Sequence, residues 1–337
     1  MGRVAIIGGG AFGTAMACVL RRSGQEVVLW VREPEVVAAI NAEGLNPHFL
    51  AGTKLEPGIV ATNDLAAAAA GRDFILMVVP AQHLREVAVA MRAFVPSGTP
   101  VVTCSKGIER GSCALMPEVV AESLPGAIPA VLSGPSFARE IAVDQPCGVT
   151  LACAERSLAA RLARGIANPR FCVHPCEDVM GAAIGGVMKN VIAIACGIVA
   201  GRRLGENARA TLFTLGFEEI VRFGLAKGAR RETFDGLSGI GDMMLSANSL
   251  QSRNTSLGVA LGEGRRLSEV LAGRKEVTEG AFSTAAVAAL ARRLGVDMPI
   301  TLALDGVLNH GADLEGAIAA LLDHLGHPGR PAPGSIR

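Results

Sequence analysis

Apolar and polar positions follow one rhythm up to about residue 178 and another after it. Before that point, short apolar runs alternate with helix-like stretches. Arg3 to Ile7, Glu26 to Trp30, Phe74 to Val79, Pro100 to Cys104, Ala130 to Leu132, Cys147 to Ala152 and Phe171 to His174 read as strands. Several are apolar along their whole length, as expected for strands covered on both faces. Helical spacing follows the first of them (TAMACVLRRSG) and recurs over residues 81–94, and the Ala66-to-Ala70 run reads as a helix. After residue 178 the strand signals stop. Helical patterns cover 179–201, 206–226, 256–262, 283–294 and 313–324. Alternating strands and helices predict a doubly wound parallel sheet, here followed by helices alone. The expected fold class is therefore α/β, with an N-terminal Rossmann-type doubly wound sheet and an all-helical C-terminal domain. The expected domains are residues 1–178 and 179–326. Residues 327–337, which include RPAPGSIR, read as a disordered tail.

The first strand runs straight into GGGAFG, with Gly8, Gly10 and Gly13 in the G-x-G-x-x-G spacing and a helix after them. Placed between a strand and a helix, this spacing is a strong dinucleotide signal. The first glycine permits a tight turn. The second lets backbone approach a pyrophosphate, and the third lets helix and strand pack closely. At the end of the second strand stands Trp30-Val31-Arg32-Glu33. Arg32 suits the 2′-phosphate of NADP, while Glu33 keeps NAD open, so NADP(H) is the preferred expectation and NAD(H) the alternative. Lys106 and the loop Ser133 to Ala138 (SGPSFA) both follow strand C-termini, where open α/β sheets bind ligands.

The longest apolar stretch is Val179 to Gly201, with one charged residue, Lys189. On a helix Lys189 shares a face with Gly185, Gly186, Ile192 and Ala193. An ammonium held there loses hydration, which shifts it toward proton transfer. Two bland alternatives compete: a lysine snorkelling to solvent, and a membrane-spanning helix. A central Lys-Asn pair is expensive in hydrocarbon and no second such segment is evident, so no integral membrane segment is expected. Residues 236–254 (GLSGIGDMMLSANSLQSRN) read as a glycine-rich loop carrying Asp242 and the triplet Ser252-Arg253-Asn254. An Arg flanked by Ser and Asn suits a phosphate dianion. A second loop carries Val277 and Glu279.

Composition refines this picture. A chain of 337 residues that is 50% hydrophobic can bury a sizeable core in about two domains, built from aliphatic side chains because aromatics are only 4% and Tyr is absent. Lys+Arg 32 against Asp+Glu 31 leaves no global field for nucleic acid, which is therefore not an expected partner. The eight cysteines lie mostly in apolar runs, which reads as reduced, buried thiols in the cytoplasm. Only Cys172 and Cys176 are near neighbours, with His174 between them. No second cluster completes a metal site, so none is expected. The N-terminus reads as a strand and not a signal peptide.

The motifs GGGAFGTAMA, CSKGIE, LSGPSFARE, MKNVIAIA, GLSGIGD, SRN and VTEG, in this order and to about residue 325, resemble those of the bacterial-type NAD(P)-dependent glycerol-3-phosphate dehydrogenases. The resemblance implies reversible hydride transfer between NAD(P)H and dihydroxyacetone phosphate, giving sn-glycerol 3-phosphate for phospholipid synthesis, and a homodimer. Carried over motif by motif, it makes Lys189 the catalytic acid/base. It puts Lys106, Gly134, Ser136, Lys189, Asp242, Ser252, Arg253 and Asn254 on the substrate. Ala11, Phe12, Arg32, Lys106, Ala138, Arg253, Val277 and Glu279 would line the cofactor site beside Gly8, Gly10 and Gly13. One position departs: the family often has a basic residue after SRN, and here it is Thr255. Two rival readings share the sheet. A β-hydroxyacid dehydrogenase of the 6-phosphogluconate type usually has an Asn four residues after the lysine, where this chain has Ala193. A non-catalytic dinucleotide sensor would not need Lys106, Lys189, Asp242 and Arg253 together.

Overall fold

The computed structural model describes residues 2–272 and 279–326, the side chains of 324–326 excepted. The expected tail, 327–337, and Val277 lie outside the described residues. The described chain divides into two compact units. One comprises residues up to Lys106 together with Leu115–Ala183. The other comprises Gly107–Ala114 and the chain from Ile184 onward.

The first unit is a sheet of eight strands: β1 (Arg3–Ile7), β2 (Glu26–Trp30), β3 (Ile59–Thr62), β4 (Phe74–Met77), β5 (Pro100–Thr103), β6 (Ile128–Ser133), β7 (Cys147–Cys153) and β8 (Phe171–Cys176). The spatial order is β3-β2-β1-β4-β5-β6-β7-β8. Every neighbouring pair is parallel except β6 with β7. Helices α1 (Ala11–Arg22), α2 (Pro34–Glu43), α3 (Leu65–Ala69), α4 (Leu84–Met91), α5 (Met116–Ser123), α6 (Ala138–Ala142) and α7 (Arg156–Ile166) connect the strands. Strand order reverses at β1, the switch point at whose C-terminal edge such sheets bind ligands. Val4, Ala5, Ile6 and Ile7 are fully buried there, and α1 buries Ala15 to Leu20. The helix expected over 81–94 is in fact a 3₁₀ turn, Ala81–His83, followed by α4, because Pro80 sets the entry and cannot continue a helix from before it.

The second unit is helical: α8 (Val179–Gly201), α9 (Glu206–Ala226), α10 (Arg231–Phe234), a π-helical turn Leu237–Gly241, α11 (Asp242–Ala247), α12 (Arg253–Gly262), α13 (Leu267–Ala272), α14 (Glu279–Leu294), α15 (Pro299–Asn309) and α16 (Leu314–Gly326). The expected boundary at 178 falls just ahead of the observed division. Val179, Ala182 and Ala183, in the first turns of α8, pack with Val131, Ala152 and Cys176 of the sheet unit, so the change of unit comes inside the helix. By length and composition α8 could cross a membrane, but 89% of its most apolar window is buried inside the protein.

Small residues let helices touch backbone to backbone here. A Cβ at Gly258 of α12 would lie 2.0 Å from the carbonyl oxygen of Ile194 in α8, and one at Gly197 of α8 would lie 2.3 Å from that of Thr255. Gly197 and Gly201 thus face Gly258 and Gly262. At α15, the buried carboxylate of Glu219 from α9 accepts hydrogen bonds from the Ile300 and Thr301 N–H groups and the Thr301 hydroxyl. It caps a helix whose own N-cap residue, Met298, offers no side-chain bond. Burial, the largest effect, pushes that carboxyl up to about 7 against the three bonds, which favour the ionised form.

Candidate active site

The candidate residues fall in both units and are described one unit at a time. In the sheet unit, β1 ends at Ile7 and the chain turns at Gly8, whose φ of +125° is left-handed and whose N–H donates to the Trp30 carbonyl (3.1 Å). Gly10 is the N-cap of α1, with no side-chain cap and no acidic residue in the first turn. A Cβ at Gly10 would meet nothing within 4 Å, whereas one at Gly13 would stand 1.9 Å from the Gly8 carbonyl oxygen. Space opens at the second glycine and helix meets strand at the third, a cradle that fits a pyrophosphate on the helix N-terminus. Ala11 and Phe12 form the first turn and pack on the core. Asn46, which the sequence pattern did not single out, holds the loop from behind. Its Nδ2 donates to the Gly9 carbonyl and to Thr14 Oγ1, both at 2.9 Å.

Arg32 lies beyond the end of β2 with 82% of its side chain exposed, its Nη2 2.8 Å from Glu33 Oε1. Lys106, after β5, donates from Nζ to the Gly134 carbonyl at 2.9 Å, and Ser136 Oγ donates to the same oxygen at 2.9 Å. Gly134 has φ +154°, and a Cβ there would press within 2.8 Å of Val149 Cα. Ala138 opens α6 in the same loop. The sheet unit therefore gathers Lys106, Gly134 and Ser136 through one carbonyl. Cys104, two residues before Lys106, is fully desolvated, which pushes its thiol up to about 12 and leaves it inert at neutral pH.

In the helical unit, Lys189 projects from the middle of α8 with 12% of its side chain exposed. Its Nζ donates to Ser246 Oγ at 2.7 Å and lies 3.1 Å from Asp242 Oδ1. Asp242 and Ser246 are buried, one turn apart on α11. The stretch 236–254 is thus mostly helical, correcting the expected loop. Gly239 serves close packing: a Cβ there would stand 2.1 Å from the Phe234 carbonyl oxygen. Read as a helix, it would have put Ser246 beside Asp242 by i, i+4 spacing; read as a loop, it hid Ser246.

The SRN triplet opens α12. Ser252 is the N-cap, its hydroxyl accepting from the Thr255 N–H (3.3 Å), and Arg253 is the first helical residue. Asn254 is buried, with Nδ2 donating to Asn190 Oδ1 (2.8 Å) and Oδ1 accepting from the Gly280 N–H (3.1 Å). Thr255, the departure from the family pattern, is buried too, and its hydroxyl donates to the Ser246 carbonyl. That contact ties α12 to the residue touching Lys189. Glu279 opens α14.

A Rossmann sheet whose glycine turn fits a pyrophosphate, and a lysine held against a buried carboxylate in a helical unit, fit the class of nicotinamide-dependent oxidoreductases, to which the relatives of this chain belong. Residues 3–159 match the family described as NAD-dependent glycerol-3-phosphate dehydrogenase N-terminus, and residues 178–319 match its C-terminus. The chain is 53% identical over 319 residues to glycerol-3-phosphate dehydrogenase [NAD(P)+] of Rhodospirillum rubrum, covering 95% of this chain and 91% of that protein. It is 52% identical to the enzyme of the same name from Caulobacter vibrioides, over 95% and 96% of the two chains. The crystal structure of glycerol-3-phosphate dehydrogenase from Coxiella burnetii superposes with a TM-score of 0.90 at 38% identity, covering 96% of this chain and 99% of the other. The chain belongs to the NAD-dependent glycerol-3-phosphate dehydrogenase family.

Proposed function

We propose that the protein catalyses reversible hydride transfer between NAD(P)H and dihydroxyacetone phosphate, giving sn-glycerol 3-phosphate for phospholipid synthesis, and that it acts in the cytoplasm as a homodimer. The observation that carries the reading is the Lys189–Asp242–Ser246 arrangement, a proton-bearing Nζ held by a buried carboxylate and a buried hydroxyl. Family membership supplies the substrate.

Nicotinamide, when bound, supplies or accepts the hydride. Gly8, Gly10, Ala11, Phe12 and Gly13 would hold the pyrophosphate at the first turn of α1, and Arg32 would hold the 2′-phosphate of NADP. Lys106, Ala138, Arg253, Val277 and Glu279 complete that set. Lys189 holds a proton at Nζ and gives it to the ketone oxygen as negative charge develops there; in reverse it takes the proton from the alcohol. Asp242 keeps the ammonium oriented, and Ser246 fixes its direction. Arg253 and Asn254, with the Ser252 cap at the positive end of α12, hold the substrate phosphate. Lys106 and Ser136 bind the rest of the substrate from the Gly134 loop. Holding the phosphate converts a collision into an oriented reaction, which is where much of the rate arises.

The decisive experiment follows NADPH absorbance on addition of dihydroxyacetone phosphate, with NADH in parallel and unphosphorylated dihydroxyacetone as control. Turnover that requires the phosphate is expected. Absence of turnover in protein shown to bind NADPH would sink the assignment and favour a sensor or a different hydroxyacid dehydrogenase.

A further inference from the structure

The glycine turn and the end of β2 are tied to a third piece of chain. Asn46 is buried, and while its Nδ2 donates to the Gly9 carbonyl, its Oδ1 accepts the N–H groups of His48 (3.2 Å) and Phe49 (3.0 Å). The backbone of His48 is thereby fixed beside the glycine turn. Gly9 in turn lies against Val31, the residue before Arg32: a Cβ at Gly9 would stand 2.6 Å from Val31 Cγ2. From this anchor the His48 side chain reaches α2. Its Nε2 lies 3.9 Å from Oε1 of Glu35, in the first turn of that helix and two residues after Glu33, the partner of Arg32. Two basic side chains, Arg32 and His48, and two carboxylates, Glu33 and Glu35, thus gather beside the turn.

This group is open to a ligand. A separation of 3.9 Å is longer than a hydrogen bond, and His48 and Glu35 keep 46% and 63% of their side chains exposed. Exposed pairs of this kind are weak and are given up readily to a better partner. The fingerprint places a pyrophosphate at the N-terminus of the first helix and the adenosine ribose at the end of the second strand. A residue anchored to the glycine turn by its backbone, and reaching the first turn of α2 with its side chain, lies along the adenosine half of that path.

We propose that His48 is a specificity-determining residue for the cofactor: together with Arg32 it donates to the 2′-phosphate of NADP(H), and it offsets the Glu35 carboxylate that repels this phosphate. An imidazole N–H is a donor in either protonation state, and a protonated ring adds a charge. Glu33 and Glu35 by themselves favour a ribose with both hydroxyls free, as in NAD. Arg32 and His48 tip the same site toward the phosphorylated ribose. The inference rests on the reading of the glycine turn as a dinucleotide cradle and of Arg32 as a 2′-phosphate partner.

The test uses the full chain and two probes that differ only in the 2′-phosphate, adenosine 2′,5′-bisphosphate and adenosine 5′-monophosphate, titrated by calorimetry. His48→Ala should raise the Kd of the bisphosphate by about threefold to tenfold and leave that of the monophosphate within about twofold, with the loss shrinking as salt is added. His48→Lys, which restores a cation, should recover most of the loss. Glu35→Gln should tighten the bisphosphate and leave the monophosphate unchanged. The ratio of the two Kd values is taken on one preparation, so it does not depend on the folded fraction of a variant. Equal losses for both nucleotides in His48→Ala overturn the proposal, since His48 then serves the adenosine or the fold; so does no loss for either. An Arg32→Ala arm separates the two readings. If Arg32→Ala weakens only the bisphosphate and His48→Ala changes nothing, the reading of Arg32 stands and that of His48 falls. If His48→Ala weakens only the bisphosphate and Arg32→Ala changes nothing, the reverse holds.

Discussion

Lys189 stands between Asp242 and Ser246 with little of its length in solvent. A lysine snorkelling to water would leave its Nζ exposed; this one ends on a buried carboxylate and a buried hydroxyl. Lys189→Ala should lower kcat by about a hundredfold to ten-thousandfold while leaving NADPH affinity within a few-fold, as titration of NADPH fluorescence would show. Substantial remaining turnover would remove its assigned role. Arg32 presents the opposite case, a largely exposed guanidinium paired with its neighbour Glu33. An exposed pair of this kind is worth little, so a 2′-phosphate can take the guanidinium over. Arg32→Asp should raise the Kd for NADPH about tenfold or more and change that for NADH far less. Equal losses would show that Arg32 does not read the 2′-phosphate. Both residues stand out in the sequence because the signal is local: a single charge in an apolar helix, and a basic residue at the end of the second strand. Ser246, Asn190 and Asn46 do not, because nothing in their immediate sequence says what they meet.

At the scale of elements, helix ends and helix crossings decide the site. Ser252 caps α12 and thereby aims its N-terminus, whereas α15 borrows its cap from Glu219 of α9. The second arrangement has a pH signature. The Glu219 carboxyl is pushed up to about 7 in the fold from an ordinary value of 4.5. Between those values the folded chain keeps a proton that the unfolded chain has released. Its contribution to stability is therefore complete below pH 4.5 and is lost as pH rises through about 7. Relative to Glu219→Gln, the wild type should lose thermal stability between pH 5 and pH 8 by this linkage, measured by calorimetry. A difference that stays constant across that range would mean that the carboxyl titrates as an ordinary one. The stretch 236–254 shows why sequence reading fell short at this scale. Glycine marks both loops and close helix contacts, and only the backbone of Phe234 lying against Gly239 distinguishes the two. The short strand β3 was missed for a related reason: with alternate positions exposed and few residues, Ile59–Thr62 carries little periodic signal.

At the scale of the whole molecule, α8 is both the most apolar segment and the backbone of the helical unit. Burial of 89% of its apolar window leaves little of that surface for lipid. Expressed without detergent, the protein should remain in the supernatant after high-speed centrifugation; recovery only in detergent extracts would reopen the membrane reading. The sequence alone determined the alternation of strands and helices, the glycine turn with its dinucleotide chemistry, the switch to helices near residue 178, and the isolated lysine. All are properties of residues close together in the chain, where periodicity and turn chemistry act directly. Tertiary structure decided where the units divide inside α8, that Gly239 packs against the backbone of Phe234, which buried hydroxyl meets Lys189, and that Asn254 bonds Asn190 and Gly280 through its amide. Each of these is a pairing of polar or small groups far apart in sequence. Such pairings are enforced by the cost of leaving buried polar groups unsatisfied, which exists only once the core has closed.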